Sequence, residues 1–264
     1  MKRQRVKTAT PYQDINDLLA DWMEGAKNIL GVNVVGLYLS GSLAYGDFMP
    51  GRSDIDLQAV VHRPLSQDEL ESVEQLHKEL NERYPAWKSR LECSYVPLEL
   101  MQETLPPKNP RPWWGFDTLY AEAPAGNEWI INHYFLAKHG VALFGPDFDT
   151  LIPPLDMREV KKASARDLSE EWEPKINDYE WLSNSHCQSY TVLNICRILH
   201  AVVGDGPGSK KVAAEWARSV CPQWRDLIEE AEQWEYGKEM KRQAEAIAFI
   251  RFAIEKVNET DLLK

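Results

Sequence analysis

The chain has only four cysteines in 264 residues, none in a C-x-x-C pair and none at zinc-finger spacing from a histidine. That excludes a disulfide scaffold and a structural zinc site. Cys93, Cys187, Cys196 and Cys221 are expected reduced and mostly buried. No run approaches the ~18 apolar residues of a membrane-spanning helix. The basic start MKRQRVK is followed by no apolar segment, so no secretory signal is expected and the chain is assigned to the cytoplasm. Positive charge is scarce too: 30 Lys and Arg against 41 Asp and Glu leave a net −11. Neither the first 150 residues nor the remainder is net basic, which argues against a grip on nucleic acid through its phosphates. An acidic surface suits a cationic small molecule, and it also serves solubility.

What is present is ordinary globular material, 44% hydrophobic and 27% charged. Residues 11–30 read as a helix with Leu18, Leu19, Trp22 and Met23 near helical spacing. The β-branched run at 32–40 reads as a buried strand, 41–53 as a loop, and 54–61 as a second strand. A capping box, Ser66 to Glu69, opens a helix reaching about Arg83. Residues 90–97 give a third strand. The Pro-rich stretch 104–126 is expected to be irregular, a helix covers 127–139, and 143–154 is a connector. Further helices are expected at 156–181, 186–203, 209–219, 223–235 and 238–257. The expected architecture is α+β: a mixed sheet with helices over residues 1–153, then an all-α bundle over 154–264.

The chemistry concentrates in the loop joining the first two strands, Gly41-Ser42, Gly46, then Ser53-Asp54-Ile55-Asp56. Aspartates two apart at a strand start point to the same side. Two carboxylates so placed repel unless a cation neutralises them. Hard oxygen ligands there suit Mg²⁺, which takes one or two carboxylates plus substrate phosphates. Bare N–H groups at the Gly41-Ser42 turn could hold phosphate oxygens. A third acid belongs on a neighbouring strand, and Glu92, flanked by Leu91 and Cys93, fits. Later in the chain Ser209 is an expected helix N-cap, Lys210 and Lys211 follow where a helix dipole favours anions, and Arg197 interrupts an apolar helix. For these basic residues, an exposed lysine and a structural ion pair are the alternatives.

The pattern G-S-x-x-x-G with a following S-D-x-D resembles the DNA polymerase β-like nucleotidyltransferases, although the loop here is one residue longer than usual. Residues 90–96, 128–146 and above all 190–216 narrow the resemblance to the streptomycin/spectinomycin (aminoglycoside 3″/9) adenylyltransferase family. The resemblance implies metal ligands at Asp54, Asp56 and Glu92, with Glu92 also the catalytic base. It implies two Mg²⁺ ions, ATP as co-substrate, and nucleotide contacts from Gly41, Ser42, Ser53, Arg197 and Lys210. The acceptor implied is a cationic antibiotic, with no nucleic acid or membrane partner and a monomeric enzyme. Trp113, Trp114 and Asp178 are candidate substrate contacts. An Asp that helps streptomycin-modifying members select their drug falls on Cys187 here, which favours spectinomycin. Another antibiotic such as a lincosamide, a protein acceptor, and a non-catalytic nucleotide sensor are the rival readings.

Overall fold

A computed structural model describes residues 8–263, which form two compact units. The first comprises the chain up to Phe48, Ser53–Ala125 and Asn132–Pro154. Its strands are β1 (Val34–Leu39), β2 (Ile55–Val61), β3 (Leu91–Pro97), β4 (Arg111–Gly115), β5 (Thr118–Ala123) and β6 (Val141–Phe144), in the order β5-β4-β3-β2-β1-β6. β2 and β3 are parallel and every other neighbouring pair is antiparallel. The helices are α1 (Gln13–Leu30), α2 (Gly41–Tyr45), α3 (Gln67–Arg83) and, from Asn132 on, α4 (Glu128–His139). A parallel pair needs a crossover connection, and α3 supplies it between β2 and β3.

α1 forms because its apolar residues recur at helical spacing. Ile15, Leu18, Leu19, Trp22, Met23, Ala26 and Leu30 are all buried, in one core with Leu37, Leu39, Ile55, Leu57 and Ala59 of the sheet. Each large side chain so buried contributes roughly 1.5–3 kcal/mol. α3 starts at the expected capping box. Glu69 N donates to Ser66 Oγ at 3.3 Å, and Ser66 N donates to Glu69 Oε2 at 2.7 Å, worth about 1 kcal/mol. This packing fixes β2 and β3, on which the acidic residues sit.

The second unit comprises Met49–Arg52, Gly126–Ile131 and the chain from Leu155 on. Its helices are α5 (Met157–Asp167), α6 (Tyr179–Ser183), α7 (Ser185–Val202), α8 (Lys210–Val220), α9 (Arg225–Gln233) and α10 (Gln243–Asn258). α7 is buried almost all round, as a helix at the centre of a bundle must be, and α5, α6, α8, α9 and α10 pack on it. Two of its buried polar side chains tie it to its neighbours. Gln188 Nε2 donates to Leu182 O and its Oε1 accepts from Arg242 N, both at 2.8 Å. Ser189 Oγ donates to Ala231 O at 2.8 Å, and Arg52 Nη1 reaches the same carbonyl at 2.9 Å.

Several expectations about these elements fail. The stretch 104–126 is not irregular: it holds the β4–β5 hairpin. Phe116 and Asp117 turn it with φ of 52° and 57° between the paired Gly115 and Thr118, a two-residue turn of the kind usually made by Asn-Gly. Pro112 is tolerated because the β4–β5 register slips between Arg111 and Trp113. The connector at 143–154 begins inside β6. The helix expected over 156–181 breaks up: α5 ends at Asp167, a π-turn covers Leu168–Trp172, and Pro174 opens a short 3₁₀ segment before α6. The last helix starts at Gln243 rather than 238. Among the described residues, no helix is long and apolar enough to cross a membrane.

Candidate active site

Every residue of β2 is buried except Asp56. In β3 only Glu92 and Ser94 escape full burial. Asp56 and Glu92 are register partners across the parallel β2–β3 pair, so their backbones lie about 4.8 Å apart with side chains on one face. Asp54 immediately precedes β2, and the ladder continues beneath it through Ile55 N donating to Arg90 O at 2.7 Å. The three acids therefore occupy one end of two adjacent interior strands. β3 lies between β2 and β4, so Glu92 is not on an edge strand.

The β1–α2 turn closes over Asp56. Ser40 N and Ser40 Oγ both donate to Asp56 O, at 2.9 and 3.2 Å. Gly41 then adopts φ +62°, and a Cβ there would overlap the Asp56 carboxylate, 2.6 Å from its Cγ. Only glycine combines that backbone conformation with that close approach. Ser42 follows in α2 with its carbonyl accepting from Asp47 N at 3.0 Å, and its side chain is half-buried.

A residue that the sequence reading overlooked stands beside Asp54. The Arg90 guanidinium donates to the Ser53 carbonyl, and its Nε lies 3.8 Å from Asp54 Oδ1. Its Cζ stacks 4.8 Å from the Trp87 ring centroid. The available signal was a cation two residues before the catalytic candidate, at the strand start.

Three carboxylates on one face are hard oxygen donors. Among the described residues no three or more His, Cys, Asp or Glu side chains come together as a group that could hold a metal ion. Carboxylates taken one or two at a time are the donors of an ion that completes its shell with water and phosphate, as Mg²⁺ does.

The remaining candidates lie in the helical unit. Ser209 caps α8, accepting from Val212 N at 3.2 Å, and Lys210 Nζ rests 4.4 Å from the Tyr190 ring centroid. Arg197 Nη1 donates to Asn194 Oδ1 at 3.4 Å. Its charge also acts on Asp167, whose carboxyl burial pushes up to about 6 against the pull of the Trp172 indole N–H and of Arg197. Asp178 is a helix cap: its Oδ1 accepts from Trp181 N at 2.9 Å at the start of α6. Of the neighbouring acids, Glu170 accepts from Asn127 Nδ2 at 2.7 Å. Cys187 is half-buried near the start of α7, and burial raises its thiol.

The two tryptophans separate. Trp114 is fully buried and stacks on His77 at 4.8 Å, so it belongs to the core and cannot be the binding wall expected of it. Trp113 points to the other face of the hairpin, against Tyr120 and Phe116. Strand alternation makes both contacts impossible from one face.

Comparison with known proteins places these features. Residues 24–104 match the family described as "Nucleotidyltransferase domain", and residues 150–257 match "Aminoglycoside adenylyltransferase, C-terminal domain". Spectinomycin 9-adenylyltransferases of Staphylococcus aureus strains Mu50 and N315 are 26% identical over 212 residues, covering 74% of this chain and 75% of theirs. A crystal structure of spectinomycin adenyltransferase AAD(9) from Enterococcus faecialis, with ATP and spectinomycin, shares the fold. It matches at TM-score 0.70 and 18% identity over 92% of this chain and 98% of that one. A nucleotidyltransferase domain carrying the paired aspartates, followed by this helical domain, makes the chain an enzyme of nucleotidyltransferase type and a member of the aminoglycoside adenylyltransferase family.

Proposed function

We propose that the enzyme transfers AMP from ATP to a hydroxyl of an aminocyclitol antibiotic, with spectinomycin preferred over streptomycin. The observation that carries the reading is the register pairing of Asp56 with Glu92, with Asp54 alongside. It supports reading Asp54 and Asp56 as the metal-binding pair and Glu92 as the carboxylate base beside it. The names of the Staphylococcus aureus relatives support the acceptor. Cys187, at the position where streptomycin-modifying members carry an Asp, supports the preference.

In this reading Asp54 and Asp56 hold Mg²⁺, with Glu92 as a further ligand. When bound, the metal neutralises the triphosphate and stabilises charge on the leaving pyrophosphate. Glu92 takes the proton of the attacking hydroxyl while that oxygen is held in line with the α-phosphorus. Ser42 and the Gly41 turn, with Ser53, offer hydrogen bonds to phosphate oxygens. An acceptor bearing ammonium groups is drawn to a chain of net charge −11. Adenylyl transfer needs chiefly positioning and charge stabilisation, which these groups supply.

Pyrophosphate release measured across a drug panel with ATP and Mg²⁺ tests the proposal. Release that depends on spectinomycin supports it. Release only with a protein acceptor, or none with any acceptor, contradicts it in favour of a protein-modifying enzyme or a nucleotide sensor.

A further inference from the structure

Arg90 is placed with more care than an ion pair at a strand start requires. Its backbone carbonyl accepts from Ile55 N, the amide between the two aspartates, at 2.7 Å. Its side chain then turns back over Trp87 and donates to the Ser53 carbonyl, with Nε at ion-pair distance, 3.8 Å, from the Asp54 carboxylate. Trp87 is itself fixed: it is 6% exposed, and its indole N–H donates to Asp14 Oδ2 at 2.8 Å. The residue before Arg90 is also held. Ser89 has φ 62°, and its N–H donates to Asp117 Oδ1 at 2.8 Å while its hydroxyl donates to Asp117 Oδ2. Asn81 Nδ2 donates to the same Asp117 Oδ1 at 2.8 Å. Asp117 is the second residue of the β4–β5 turn. A chain of contacts therefore runs from that turn through Ser89 and Arg90 to Asp54.

We infer that Arg90 is a positioning residue, whose guanidinium fork pins the Ser53 carbonyl and the Asp54 carboxylate so that Asp54 is aimed before a divalent cation arrives. The inference rests on the reading of Asp54 as a metal ligand. Lysine could keep the charge but not both contacts, because it lacks the planar fork. Partners that orient a metal ligand typically govern 10–100-fold in metal affinity.

The test uses Mn²⁺ as the probe, its binding followed by electron paramagnetic resonance on the full chain without nucleotide or drug. The Mg²⁺ dependence of turnover is measured alongside. In Arg90→Gln, Mn²⁺ affinity should fall about tenfold or more, and the Mg²⁺ needed for half-maximal rate should rise similarly. Saturating Mg²⁺ should restore most of kcat, which a general loss of structure would not allow. Arg90→Lys should fall between wild type and Arg90→Gln, and it serves as the reporter if Arg90→Gln does not fold. Unchanged Mn²⁺ affinity in a folded variant would overturn the inference while leaving the metal site standing. A wild-type protein that binds no Mn²⁺ and turns over without divalent metal would overturn the metal reading and this inference with it.

Discussion

Replacing Gly41 by alanine tests how closely the β1–α2 turn and the acidic site depend on one another. Two penalties arise, and they act on different observables. The first is backbone strain: φ +62° suits glycine, and an L-residue there loses about 1–2 kcal/mol. For a protein of this size that lowers Tm by roughly 3–6 °C. The second is a collision. The new methyl would overlap the Asp56 carboxylate and stand 2.6 Å from its Cγ, against 3.4 Å or more for ordinary contact. Asp56 must retreat by about 1 Å, a displacement that can lower a rate by about 10²-fold. Gly46→Ala supplies the control. Gly46 also has a left-handed backbone, φ +83°, but nothing lies within 4 Å of its would-be Cβ. Gly46→Ala should therefore lose similar stability and keep near-normal kcat, whereas Gly41→Ala loses both. Thermal melts and steady-state pyrophosphate release on the two variants separate the terms. Wild-type kcat in Gly41→Ala, or equal rate losses in both, would refute the claim that glycine is there to admit the carboxylate.

Other outcomes follow from the same geometry. Asp54→Asn and Asp56→Asn should each abolish Mg²⁺-dependent turnover, and retained activity at ordinary Mg²⁺ would remove the metal assignment. Glu92→Gln keeps shape but not basicity, so transfer should fall at least ~10²-fold while calorimetry still detects ATP binding. Loss of nucleotide binding along with activity would make Glu92 chiefly a metal ligand. Stability should fall in acid, because burial lowers His77 and His133 from the ordinary 6.5 to about 3. Above pH 6.5 both are neutral in either state. Below it the unfolded chain takes up protons that the folded chain refuses, costing about 2–3 kcal/mol for each histidine by about pH 4.5. Urea titrations of wild type and His77→Gln should differ in slope by one proton over that range, and parallel curves would count against it.

Much of this fold is legible because local rules and tertiary packing agree. α1 carries an apolar stripe, Ser66 and Glu69 mark a helix start, and the S-D-I-D string lies between two strands. The failures arise where distant residues decide. The Phe116–Asp117 turn lacks the usual Asn-Gly because Asn81 and Ser89 bind the Asp117 carboxylate from elsewhere in the chain. No local pattern announces that. Trp114 and its neighbour Trp113 look alike in sequence, and only the strand they share sends one into the core and the other out. Residues 156–181 keep a helical pattern through Pro174, yet the backbone passes through a π-turn and a 3₁₀ segment there. Arg90 escaped notice because its contacts are with Ser53, Asp54 and Trp87, only the last of which is near in sequence.

The reaction proposed for this chain moves an adenylyl group onto a cationic antibiotic. Mass spectrometry of spectinomycin and streptomycin after incubation with the enzyme, ATP and Mg²⁺ tests it most directly. Spectinomycin should gain the mass of one adenylyl group with wild type and not with Asp54→Asn, and streptomycin should be modified more slowly. Spectinomycin recovered unmodified, or streptomycin modified as fast, would contradict it.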